Sequence, residues 1–147
     1  MKGHIAAQIA RDAATEQSEF YLALSSMMCW DAVIAAQTKA GVKKPKPVTV
    51  DKSDHVIKLS DPAVTSKGEM QKVPQGAFIG FFRGGTLVHA MIATGAGIAG
   101  GNKNECIGIG SPVGWELLNL AQDLKWEAGG FKDPGGRQHL VRYRAVA

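Results

Sequence analysis

The stretch Met27-Met28-Cys29-Trp30-Asp31-Ala32-Val33-Ile34-Ala35-Ala36 decides how this chain is read. Ser25 and Ser26 stand just before it, and a serine hydroxyl accepts an otherwise unpaired N–H at a helix start. An apolar, alanine-rich run follows. Gly41 then suits the left-handed position that closes a helix. The pattern predicts a helix over 27–40 with Cys29 in its first turn. Free N–H groups and the helix dipole favour an anion there, which lowers a cysteine pKa from about 8.5. The thiolate is the nucleophilic form, so this is a suitable place for a catalytic cysteine. The competing reading makes Cys29 a small buried hydrophobe, because Val33, Ala36 and Ala40 share its helical face.

The composition fits that helix into one globular unit. A chain of 147 residues with 45% hydrophobic and 20% charged residues can bury a real core, so a single domain over 1–147 is expected. No run of 18 apolar residues offers a transmembrane helix. Gln8, Arg11 and Asp12 interrupt any apolar signal-peptide core near the start. The expectation is a protein that stays in the cytoplasm, or one secreted or injected without a cleaved signal. Cys29 and Cys106 are too few for a disulfide framework. A net charge of +4 is a mild bias toward anionic partners and selects none of them.

Residues 4–23 read as helical, with a break suggested at Gln17-Ser18. Lys43-Lys44-Pro45-Lys46-Pro47 reads as a basic linker, without the aromatic residues that single-strand binding uses. Val48-Thr49-Val50 and His55-Val56-Ile57-Lys58-Leu59 are short and ambiguous. Ser60-Asp61-Pro62 resembles a helix start, with the helix running to about Met70. Residues 77–82 read as a strand. Thr86 to Thr94 reads as a second strand, apolar on both faces and so central. Gly95-Ala96-Gly97 is a hairpin turn, and Ile98 begins the return strand. Residues 105–110 read as a short strand. Trp115, Leu117, Leu118, Ala121 and Leu124 recur at helical spacing, which predicts a helix over 114–125. Trp115 and Trp126 read as packing residues. His139 to Arg144 alternates and reads as a final edge strand.

Of the four histidines, only His89 lies inside a strongly apolar strand. A buried ring needs a partner, since an unpaired buried polar group costs about 1–3 kcal/mol. A helix-start cysteine followed by a strand histidine is what a cysteine hydrolase uses. The imidazole takes the thiol proton and later protonates the leaving amine. The Cys29 N–H could supply half of an oxyanion hole. Asn102 and Asn104, across the hairpin, could accept the ring N–H and orient it. Asp133 is a more distant candidate for that role. Cys106 reads as a core residue. No Cys or His pair has close zinc-ligand spacing, so neither a metal nor a cofactor is expected.

The order of these pieces resembles a known family. Cys29 on a helix, then Pro74-Gln75-Gly76-Ala77-Phe78-Ile79-Gly80-Phe81-Phe82, then His89 through Gly97, is similar to the NlpC/P60 and CHAP branch of papain-like cysteine hydrolases. The resemblance covers about residues 25–110. It implies an α+β, papain-like (NlpC/P60-like) fold, with N-terminal helices packed on a small antiparallel β-sheet. It also implies a third polar residue on the strand after the histidine hairpin, which maps to Asn102 first and Asn104 next. The family's Asp-Cys-Ser-Gly is absent, and Cys29-Trp30 is instead similar to papain-type proteases. Small bacterial effectors and amidase toxins, including proteases and glutamine or asparagine deamidases, resemble this chain in size.

The resulting expectation is a cysteine-dependent amide hydrolase with a Cys29, His89 and Asn102 or Asn104 triad, acting as a toxin or effector through a thioester. Its partners would be a protein or peptidoglycan peptide substrate and a cognate immunity protein, with no nucleic acid and no integral membrane association. The alternatives are a peptidoglycan peptide amidase of the same mechanism, and a non-enzymatic basic module. That module would bind anions through Lys43, Lys44, Lys46, Arg142 and Arg144. A thiolate–imidazolium pair would lower the Cys29 pKa and raise that of His89.

Overall fold

The computed structural model describes residues 2–15, 18–42 and 63–146. The basic linker, His55 and Ser60-Asp61-Pro62 lie outside the described residues.

Three helices come first: α1 (Lys2–Ala13), α2 (Glu19–Ser25) and α3 (Cys29–Lys39). The helical stretch expected over 4–23 is two helices, the second starting after Ser18, at the suggested break. Ser18 caps the second, its hydroxyl accepting from the Phe20 and Tyr21 N–H groups. In α1 the buried positions are Ala6, Ala7, Ala10 and Ala13, one helical face of small residues that permits close packing. The helix expected over 27–40 is α3, and its end follows the predicted chemistry. Gly41 has φ +89°. Its N–H donates to the Thr38 carbonyl while that of Val42 donates to Gln37, which together form a Schellman closure. Its start differs from expectation. Met28 is the N-cap and supplies no side-chain hydrogen bond, while Ser26 closes α2 instead.

Among the described residues the strands form one seven-stranded antiparallel sheet in the order β4-β3-β2-β1-β7-β6-β5. The strands are β1 (Phe78–Arg83), β2 (Thr86–Gly95), β3 (Ile98–Asn102), β4 (Trp115–Asn119), β5 (Lys125–Glu127), β6 (Gly130–Lys132) and β7 (Gln138–Arg144). The architecture is α+β, with a larger sheet than the small one expected. β2 is central, between β1 and β3, as its two-sided apolar pattern implies. β7 is also interior rather than an edge, paired with both β1 and β6.

Two further expectations are corrected. Residues 114–125 are not one helix: β4 is followed by the single-turn α5 (Leu120–Asp123). Pairing with β3, from Ile98↔Asn119 to Asn102↔Trp115, outweighs the helical spacing. Residues 105–110 are not a strand either. The chain leaves β3 through Lys103, whose φ of +59° is left-handed, into a 3-10 turn (Asn104–Ile107). A short helix, α4 (Lys67–Gln71), starts at Ser66, whose hydroxyl caps the Glu69 N–H.

Each face of the sheet carries its own core. One side holds Phe78, Phe82, Ala90, Ile92 and Trp115 against α1, α2 and α3. The other holds Ile79, Phe81, Met91, Ala93, Phe131 and Val141 beneath α4, α5 and the 3-10 turn. In β2 the register slips at Val88: Phe81 faces His89 while Phe82 faces Leu87. This β-bulge sends Leu87 to the helical side and leaves His89 on the side of Phe81.

Candidate functional site

The most constrained polar group on β2 is the His89 ring. It is 1% exposed, and its centroid lies 5.5 Å from that of Phe81. Its Nε2 is 2.8 Å from Asn104 Oδ1. The Asn104 Nδ2 donates to the Gly101 carbonyl at 3.0 Å, which fixes the amide oxygen toward the ring. An amide oxygen only accepts, so Nε2 carries the proton and donates it. The other nitrogen, Nδ1, is buried and has no hydrogen-bond partner. It is a lone pair held out of water, at a cost of about 1–3 kcal/mol.

Burial pushes the His89 pKa down to about 4. The Asn104 hydrogen bond opposes that shift, and the nearby charge of His139 adds to it. His89 is therefore neutral at neutral pH. The raised pKa expected from a thiolate–imidazolium pair is corrected here: desolvation in an apolar layer disfavours the imidazolium.

Gly101 was not foreseen as part of this site. A Cβ there would lie 2.5 Å from Asn104 Oδ1, so only glycine leaves the space that the carboxamide occupies. The pair Gly100-Gly101 directly before an asparagine was the available signal.

Cys29 is the first residue of α3 and is half-buried against the helical core. The Met28 side chain gives this helix start no cap. Alternation along β2 puts His89 with Met91 on the opposite side from Ala90 and Ile92, which pack toward α3. The structure does not bring the Cys29 thiol into hydrogen-bond contact with the ring.

The two asparagines separate cleanly. Asn104 meets His89; Asn102 does not. Asn102 pairs with Trp115 on the helical side of the sheet, and its Nδ2 donates to the carbonyls of Leu24, Ser25 and Met27. Its Oδ1 accepts from the Gly114 N–H. The left-handed turn at Lys103 is what sends the two side chains to different faces.

Asp133 does not orient His89 either. It binds His139, Nε2 to Oδ2 at 3.0 Å, and the Arg137 side chain at 3.0 Å. The hydrogen bond from His139 holds the Asp133 carboxyl well below the usual range, with Arg137 contributing further. His139 is fully buried and stacks on Phe131 with centroids 4.7 Å apart, between the exposed Gln138 and Leu140.

Cys106 sits in the 3-10 turn, and its thiol donates to the Val88 carbonyl over 3.7 Å. Burial pushes this thiol up to about 11, and the neighbouring Cys29 adds to the rise. It is not a nucleophile at neutral pH.

Among the described residues no three His, Cys, Asp or Glu side chains converge to hold a metal ion, and no helix is long and apolar enough to cross a membrane. No protein-family model, curated protein or solved structure matches the chain.

Proposed function

We propose that this chain is a cysteine-dependent amide hydrolase in which Cys29 is the nucleophile, His89 the general base and Asn104 the residue that orients the ring. The observation that supports this reading is the state of His89. Its Nε2 is committed to Asn104, and its Nδ1 is an unoccupied lone pair that is neutral at physiological pH. An imidazole in that state is a base awaiting a proton donor. Because His89 lies on the face of β2 away from α3, the proposal requires the contact between Nδ1 and the thiol to form when substrate binds; catalytic hydrogen bonds often tighten only then.

The resting pair is thiol and neutral imidazole. As Cys29 sulfur attacks the substrate carbonyl carbon, the thiol proton passes to Nδ1. The Cys29 N–H, at the start of α3, donates to the developing oxyanion. The tetrahedral intermediate collapses, the C–N bond breaks, and the imidazolium returns its proton to the leaving amine. Water, deprotonated by the same ring, then cleaves the thioester to release the acid and restore the thiol.

Peptide bonds, side-chain amides and peptidoglycan cross-peptides all fit this chemistry. In the proposed role of a bacterial toxin or effector, the chain would act on a protein or peptidoglycan and be restrained in its producer by an immunity protein. The test is expression of wild type and Cys29→Ala in bacterial cytoplasm and, separately, in the periplasm. Growth arrest by wild type alone is expected. Lysis confined to the periplasm assigns peptidoglycan, and arrest in the cytoplasm assigns a protein substrate. Equal toxicity of Cys29→Ala would contradict the mechanism.

A further inference from the structure

The α2–α3 turn that delivers Cys29 is held in part locally: the Ser26 hydroxyl donates to the Ala23 carbonyl and the Met27 N–H to that of Leu24, while the Met28 side chain caps nothing. The sheet adds to this. The Asn102 Nδ2 donates to Leu24 at 2.9 Å, to Ser25 at 3.1 Å, and to Met27. The first two carbonyls lie in the last turn of α2, and the third lies two residues before Cys29. One amide thus ties the end of one helix to the entry of the next. Its Oδ1 is fixed in turn by the Gly114 N–H at 3.1 Å, so the carboxamide cannot rotate away. A second tie runs parallel, from the Trp115 N–H to Ser25 Oγ at 2.9 Å. Asn102 is completely buried, where lost hydrogen bonds are not replaced by water.

We infer that Asn102 is a positioning residue for Cys29, setting the turn from which α3 presents the thiol. This rests on the reading of Cys29 as the nucleophile. It gives the segment Asn102-Lys103-Asn104 two tasks: Asn102 places the nucleophile's turn, and Asn104, past the left-handed Lys103, places the base. Asn102 acts on chemistry through Cys29 and touches no reacting atom.

The test reads the thiol directly and needs no substrate. Wild type, Asn102→Ala and Asn102→Asp are treated with iodoacetamide from pH 5 to 10, and peptide mass spectrometry follows Cys29 and Cys106 separately. Alanine removes the donor without adding charge; aspartate keeps the acceptor for Gly114 and loses the donor. Both are expected to speed Cys29 alkylation at pH 7 by on the order of tenfold, because release of the turn exposes the half-buried thiol. Cys106 should be unchanged. An unchanged rate of Cys29 alkylation in folded Asn102→Ala overturns the inference. If the variants fail to fold, hydrogen exchange of the wild-type Asn102 side-chain amide decides. Exchange as slow as the core backbone supports the clasp, and exchange at the rate of an exposed amide overturns it. Failure of the hydrolase reading is scored separately, by Cys29→Ala in cells.

Discussion

His89 and His139 are nearly matched and differ in one partner. Both rings are buried on the same side of the sheet, both commit Nε2 to a side-chain oxygen, and both leave Nδ1 without a partner. Phenylalanine lies beside each: Phe81 near His89, and Phe131 stacked on His139. The oxygen on His89 belongs to a neutral amide, whereas that on His139 belongs to a carboxylate also bound by Arg137. An amide orients a ring without stabilising its charged form strongly, so burial prevails and His89 stays a neutral base. A carboxylate shared with Arg137 ties down a loop. The same residue type in the same apolar layer is thus held by a neutral amide in one place and by a carboxylate in the other, and the proposed mechanism uses only the first.

The largest effect should come from exchanging each ring for an uncharged amide. His89→Gln is expected to slow hydrolysis by about 10²–10⁴-fold, the usual weight of a general base. His139→Gln should leave the chemistry in place and cost about 1.5–3 kcal/mol of stability, the worth of a hydrogen bond to a charged group. Turnover and urea unfolding of both variants check this. Equal losses of turnover would erase the distinction.

Stability against pH separates them next. The His89 folded value of about 4 lies below the unfolded value near 6.5. Between those values the unfolded chain takes up a proton that the folded one refuses. Stability should therefore fall as pH drops from 6.5 to 4, by about 1.4 kcal/mol per unit at most. His89→Gln should remove that slope. Asp133 is depressed instead, so its contribution is full above about 4 and is lost only at lower pH, in the limb that Asp133→Asn should remove.

Smaller effects concern the orienting shell. Asn104→Ala should lower kcat by about tenfold, or 1.4 kcal/mol, with little change in KM. Gly101→Ala should act in the same direction by displacing the carboxamide, since its Cβ meets Asn104 Oδ1. The smallest effect is expected of Cys106→Ser, which should leave hydrolysis unchanged because that thiol is protonated at neutral pH.

Local chemistry was readable in the sequence where it acts within a few residues. Gly41 closes α3, the Gly95-Ala96-Gly97 turn joins β2 to β3, and the two-sided apolar run of β2 marks a central strand. The misreadings share a cause. Trp115 to Asn119 has helical spacing, but pairing with β3 makes it a strand. His139 to Arg144 alternates like an edge strand, but pairing with both β1 and β6 makes it interior. Asn102 and Asn104 are two residues apart and looked interchangeable. A single left-handed residue, Lys103, gives one to the cysteine's turn and the other to the histidine. The bulge at Val88, which decides the face of His89, has no signature in an unbroken apolar run.

The most direct test is nitrogen-15 NMR of the imidazole of His89 in the full-length protein from pH 3 to 9. The expected spectrum at pH 7 shows a protonated Nε2 and an unprotonated Nδ1, with a single titration near 4. In His139→Gln the same signals should persist, with the titration moved slightly upward as the charge of His139 is removed. A ring protonated on Nδ1 at pH 7, or an imidazolium persisting to neutral pH, would contradict the assignment of His89 as a free neutral base.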